Sequence, residues 1–251
     1  MISEPFYFGH NKSCFGHFTR SSDAADSKSV LIVPSLFGES SRSHWLTREA
    51  AKRLSMQGYN VLRFDFEGDG NSCSNTSDVS IDDWIQNIQE AYSELQNRLE
   101  LTSVSVFAIR FGAGLSLVAL KALSVKSYVL LDPLLSTKKM YETFVGVSSS
   151  DKITGNYQVN NRDPFVERIK PTGLYEMGLG NDFSKSFLQL PDISMPACDC
   201  QVITTAEQGV EYQNISKAMS VTKVNYHCDW SKQDLPLIFS PKLLSTICDY
   251  I

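Results

Sequence analysis

The stretch Ala108-Ile109-Arg110-Phe111-Gly112 joins an apolar, β-branched run, Val104–Ile109, to a segment of helical composition, Gly112–Leu123. That is the layout of a nucleophile elbow. One residue on a tight, strained turn is thrust above a sheet, with small residues two before and two after so the turn can close. Ala108 and Gly112 meet the size requirement. The backbone N–H of Phe111 would sit at a helix N-terminus, where donors face an anion. The apex residue, however, is Arg110. Its guanidinium stays protonated and has no acceptor lone pair, so it cannot act as a nucleophile. Two roles remain open for it. It can form a salt bridge tying strand ends together, with Glu39, Asp132 or Glu207 as partner, because charges in a cleft must be paired. It can also capture a carboxylate or phosphate, which a fixed guanidinium binds in bidentate fashion.

Other candidate chemistry is weaker. Asp65, Glu67, Asp69 and Gly70 lie at calcium-loop offsets, but Thr76 stands where the bidentate Glu belongs and a strand precedes the loop. Asp65 reads instead as the organiser of the turn after its strand. The four histidines, His10, His17, His44 and His227, have no metal-ligand spacing, so neither a metal nor another cofactor is expected. Ser35, Ser40, Ser41 and Cys73 are expected on loops at the same sheet edge, but their spacing singles out none as a displaced nucleophile.

The elements that must position these residues alternate along the chain. Phe6–Phe8 and Cys14–Phe18 read as an antiparallel hairpin. Ser29–Val33 is a buried strand ending at Pro34. Ser43 is expected to cap a helix over His44–Met56, followed by a strand over Asn60–Asp65. Ser80 caps the clearest helix, with Asp82 and Asp83 in its first turn and Ile81, Trp84, Ile85, Ile88, Tyr92, Leu95 and Leu99 as its apolar stripe. Tyr128–Leu131, Cys200–Thr204 and Val221–Tyr226 are further strands. Ser240-Pro241 opens a terminal helix. Between 135 and 196 the alternation weakens over a span too long for a plain loop, and a cap or lid insertion is expected there. Strands alternating with helices imply a mainly parallel sheet covered on both faces, with the ligand site at the carboxyl ends of the strands.

Composition bounds the class. With 251 residues, one core of near-maximal size is expected, so 1–251 reads as a single α/β domain carrying the 135–196 insertion. The net charge of −5, without basic clusters, speaks against nucleic acid as a partner. The longest apolar runs are strand-length, far short of the roughly 20 residues of a membrane span. The first residues lack a signal-peptide pattern, and six scattered cysteines suit a reducing compartment, so a cytoplasmic location is expected.

The chain resembles the α/β-hydrolase superfamily, through Asp65-Phe66-Glu67-Gly68-Asp69-Gly70-Asn71-Ser72 after one strand and the elbow after the next. It looks closest to the exosortase-system-associated hydrolases. Those share a hairpin like Phe6–Phe18 and a segment like Pro34-Ser35-Leu36-Phe37-Gly38-Glu39-Ser40-Ser41-Arg42. The resemblance implies an α/β-hydrolase fold and chemistry of the ester, thioester or amide class. It implies an acid at Glu207, or alternatively at Asp132, and a base at His227, which falls at the end of the last expected strand. The plainer readings are a surface glutamate, a strand-ending aspartate and an ordinary strand-end histidine. The implied oxyanion donors are the Phe111 N–H and one from the Ser35–Leu36 turn. Two readings follow. One is a hydrolase or acyl-transfer protein with water activated by His227 and Glu207. The other is a non-catalytic relative that binds an anionic ligand or partner through Arg110. The expected partner is a small anionic or acyl molecule, and the chain is compatible with a homodimer. By resemblance, surface-polymer biosynthesis is the setting.

Overall fold

The computed structural model describes residues 3–22, 28–100, 103–137, 140, 186–187, 189–191, 193–205, 220–226, 228, 230 and 238–251. Twelve elements follow in chain order. They are β1 (Ser3–Phe8), β2 (Cys14–Thr19), β3 (Lys28–Val33), α1 (Phe37–Met56), β4 (Tyr59–Asp65) and α2 (Ile81–Leu99). Then come β5 (Val104–Ile109), α3 (Arg110–Ala119), β6 (Val125–Leu131), β7 (Asp199–Thr204), β8 (Ser220–Lys223) and α4 (Pro241–Tyr250).

The strands form one sheet in the order β1-β2-β4-β3-β5-β6-β7-β8. β1 and β2 form the expected antiparallel hairpin, and β2 joins β4 antiparallel. Every other pairing is parallel. Parallel neighbours require crossovers, so both faces carry helices and the central strands are apolar on both sides. All six residues of β5 are buried. Val104, Val106 and Ala108 join the core under α2 and α3, while Phe107 and Ile109 join the one under α1 and α4. This period of two divides a continuous apolar run between two layers.

Local signals explain most element ends. Ser80 and Asp83 form a capping box at α2: the Ser80 Oγ accepts from the Asp83 N–H at 3.3 Å, and the Ser80 N–H donates to the Asp83 carboxylate at 2.7 Å. Ser240 caps α4, with Pro241 at its first position. Asp65 organises the turn after β4, accepting from the Asn71 N–H at 2.9 Å, while its carbonyl accepts from Ser72 Oγ at 2.6 Å.

Three expected boundaries are corrected. α1 begins at Phe37, a full turn and more before His44, and Ser43 is not its cap. The Ser43 hydroxyl bonds back to the Glu39 carbonyl at 2.8 Å, which satisfies a polar side chain inside the helix. α3 begins at Arg110 rather than Gly112, because the elbow turn is completed in one residue. It ends at Ala119, whose carbonyl accepts from Gln89 Nε2 at 2.9 Å. β8 stops at Lys223, because the Tyr226 N–H turns back onto the Val224 carbonyl at 2.8 Å. Of the expected insertion, 141–185 lies outside the described residues. Among its flanks, Met140 and Phe187 are buried in the α2–α3 core.

One polar cluster sits where α1 crosses the sheet edge. Arg63 Nη1 lies 3.3 Å from His44 Nε2, and His17 faces Arg63 across the β2–β4 pairing. Desolvation, then the adjacent Arg63, push both imidazole pKa values below the ordinary range; Asp65 opposes this, and Arg48 reinforces it at His44. The unfolded chain therefore takes up protons first as the pH falls below about 6.5. The stability contributed by the two neutral imidazoles should fall as the pH drops below about 6.5, and His44→Gln should flatten part of that decline. Urea midpoints across this range check it; equal slopes in parent and variant would contradict it.

Candidate functional site

The turn from β5 to α3 folds as the elbow spacing requires. Arg110 has φ of 52°, in the left-handed region. For a residue with a Cβ this conformation costs roughly 1–3 kcal/mol and persists only when its surroundings impose it. The surroundings are visible. A Cβ on Gly112 would stand 2.0 Å from the Pro34 carbonyl oxygen, so only glycine lets the end of β3 pass this close. The Leu134 N–H donates to the Arg110 carbonyl at 3.1 Å. Phe111 is buried against Trp84 and Phe187, with ring centroids 6.0 and 6.3 Å away.

The Arg110 side chain is 7% exposed and runs to Glu39, in the first turn of α1. Its Nε and Nη2 each lie 3.2 Å from Glu39 Oε1. Nη1 reaches the Asp132 carbonyl at 3.5 Å, and the guanidinium carbon stands 5.3 Å from the Trp230 ring centroid. The second Glu39 oxygen accepts from Ser35 Oγ at 2.5 Å. Ser35 is fully buried, and Leu36 precedes α1 as its cap residue without a side-chain bond. Among the described residues, Arg110 meets the Glu39 carboxylate and the Asp132 backbone.

Asp132 directly follows β6 with φ of 42° and is fully buried. Its carboxylate accepts from the Thr205 N–H at 2.9 Å, Thr205 Oγ1 at 2.7 Å and Trp230 Nε1 at 2.8 Å. Burial pushes its pKa above the usual carboxylate range; the Thr205 and Trp230 bonds and the Arg110 charge pull the other way. Arg42, on α1, donates from Nη1 to the Trp230 carbonyl at 3.4 Å. Buried Cys228 stands beside these charges, and desolvation lifts its thiol to about 12, which leaves almost no thiolate at neutral pH.

The structure thus brings Ser35, Leu36, Arg110, Phe111, Gly112 and Asp132 to one sheet edge, at the carboxyl ends of β3, β5 and β6. Glu207 and His227 lie outside the described residues. Ser40 and Ser41, expected on a loop, are inside α1, where the continuing helix absorbs them. Thr205 and Trp230 were missed in the sequence. Thr205 had a signal, since it directly follows a strand at the binding edge. Trp230 had none, because it meets Asp132 across 98 residues of chain. Among the described residues, no three His, Cys, Asp or Glu side chains gather for a metal ion.

No protein-family model and no curated protein matches the sequence. Solved structures do match. Est1E from Butyrivibrio proteoclasticus aligns over 98% of this chain and 96% of its own, with a TM-score of 0.65 and 12% identity. An α/β serine hydrolase without a lid from Xanthomonas campestris aligns over 98% and 92%, with a TM-score of 0.61 and 14% identity. Mouse α/β hydrolase domain-containing protein 10 aligns over 98% and 97%, with a TM-score of 0.58 and 13% identity. At such identities the likeness speaks to architecture: the chain has the α/β-hydrolase fold. No helix among the described residues is long and apolar enough to cross a membrane.

The buried pair at the elbow makes a quantitative expectation. Glu39→Leu strands a desolvated guanidinium and should cost about 3–5 kcal/mol. Combining it with Arg110→Leu should recover most of that loss, because the uncompensated charge is gone. Urea unfolding of the two single variants and the double variant checks this. Simple additivity would show that the two residues are not coupled.

Proposed function

We propose that this chain is a non-catalytic protein on an α/β-hydrolase frame, whose strand-end site takes a small anionic or acyl ligand through Arg110. One observation carries the reading: a buried guanidinium stands at the elbow apex, already engaged by a carboxylate. A protonated, acceptor-free group cannot open an acyl substrate by attack. It can exchange one carboxylate for another. A ligand carboxylate or phosphate displacing Glu39 would keep the guanidinium paired and gain the fork geometry that arginine offers. Glu39 would then turn to the Ser35 hydroxyl alone.

The acid side of the site supports the same reading. Asp132 already accepts three hydrogen bonds, from Thr205 and Trp230, and is spent on joining β6, β7 and the segment at Trp230. In this reading Asp132 serves the framework. The Phe111 N–H and the Ser35–Leu36 turn serve in this reading as part of the anion site. All six cysteines are free thiols, which supports a reducing, cytoplasmic setting. The resemblance to exosortase-system-associated hydrolases supports a place in surface-polymer biosynthesis.

The experiment uses the full chain. A serine-reactive fluorophosphonate should leave it unlabelled, and activated esters and thioesters should not turn over. Small carboxylates and phosphates should raise its melting temperature. Glu39→Gln should enlarge those shifts by freeing the guanidinium, and Arg110→Met should abolish them. Turnover by the parent that disappears in His227→Ala would overturn the non-catalytic reading. Thermal shifts indifferent to Arg110→Met would remove the ligand role.

A further inference from the structure

A cavity lies at the other end of α3 from the elbow. It has a volume of about 350 Å³ and is bounded by the end of α3, the start of β6 and the segment Ser194–Cys198. That volume is in the range of small-molecule sites, roughly 300–1,000 Å³. α3 has 10 residues, so about 15 Å of helix separates this cavity from Arg110. None of the strand-end residues lines it.

The lining divides by chemistry. Leu117, Leu120, Val125, Met195 and Pro196 make an apolar body. Tyr128 also lines the cavity and is 2% exposed. Its hydroxyl has no hydrogen-bond partner among the described residues, unlike Tyr92 nearby, whose hydroxyl donates to the Ser124 carbonyl at 2.6 Å. That hydroxyl is not sealed in the core but opens on the cavity, where it can donate to an acceptor. Burial also raises its pKa, so the group stays protonated and acts as a donor. The charged lining residue, Lys121, is exposed and supplies a cation at the solvent side. Cys198, also in the wall, is partly buried, and desolvation raises its thiol above the ordinary range.

We propose that this cavity is a binding site for a compact amphipathic carboxylate. Its apolar body lies against the leucines, Val125 and Met195. An acceptor oxygen on that body takes the Tyr128 hydroxyl, and its carboxylate meets Lys121 at the mouth. A rigid, flat body suits such a cavity, because few rotors are frozen on binding.

Three probes of matched shape test the assignment: para-acetylbenzoate, para-isopropylbenzoate and para-methylacetophenone. The first carries both recognition groups, the second lacks the inner acceptor, and the third lacks the carboxylate. Titration of the full chain by calorimetry or ligand-observed NMR should show saturable binding of para-acetylbenzoate. The isopropyl analogue should bind about three- to tenfold more weakly, the worth of one hydrogen bond. Tyr128→Phe should erase that difference. Loss of the carboxylate should weaken binding, and Lys121→Ala should erase this second difference, which salt also reduces. Bound ligand should slow alkylation of Cys198. Arg110→Met should leave all of these results unchanged, which separates this site from the one at the elbow. If Tyr128→Phe fails to fold, Met195→Trp, which fills the cavity, should abolish binding instead. The proposal is overturned by the absence of saturable binding, by equal affinity for the three probes, or by binding that is lost in Arg110→Met.

Discussion

A guanidinium taken out of water must find a carboxylate and further acceptors, or the desolvation is not recovered. In this protein that requirement is met by Arg110 and Glu39, and much of the strand-end architecture depends on it. Arg110 is fixed at the junction of β5 and α3. Glu39 is in the first turn of α1, an anion where the helix dipole favours one. The ion pair therefore joins the central strand to the first helix of the opposite face. Ser35 completes the Glu39 carboxylate, the Asp132 carbonyl receives the third guanidinium nitrogen, and Trp230 lies over the group.

The network continues through Asp132, whose carboxylate gathers the backbone and hydroxyl of Thr205 and the indole of Trp230. Two adjacent strand ends, β6 and β7, and a segment distant in sequence are held by one buried carboxylate. The left-handed backbone at both Arg110 and Asp132 fits this picture. Each residue turns the chain sharply off a strand end, so its side chain can reach inward across the sheet edge. Backbone strain of this kind is sustained by the packing around it, here by Gly112 against Pro34 and by Phe111 between Trp84 and Phe187.

The same frame separates two environments along α3. Its start is a polar, charge-paired junction. Its end borders an apolar cavity with one buried phenol. α3 is nearly all buried, and its residues from Arg110 to Ala119 give it little solvent face. It can therefore couple the two places mechanically only as a rigid element packed on β5 and β6, not by moving through solvent.

The architecture was largely legible in the sequence, because it follows from local rules. Short β-branched runs alternate with amphipathic stretches, and Ser80, Ser240 and Pro241 mark helix starts by chemistry that acts within a few residues. The elbow was legible as well, since Ala108 and Gly112 encode a tight turn by size alone. The start of α1 was not, because Ser40, Ser41 and Ser43 look like loop and cap residues. The Ser43 hydroxyl is absorbed by the Glu39 carbonyl one turn back, and Glu39 in the first turn is paired with Arg110 at the elbow. Sequence alone also determined that the elbow apex carries a permanent cation. Which carboxylate neutralises it was decided only by tertiary structure. Glu39 is no more evident a partner along the chain than Asp132 or Glu207, and its meeting with Arg110 rests on distances set by the crossing of α1, 71 residues away. The meeting of Trp230 with Asp132 belongs to the same class of fact. A hydrogen bond, or the lack of one, is a property of what folding brings within 3 Å or so, and no local pattern records it.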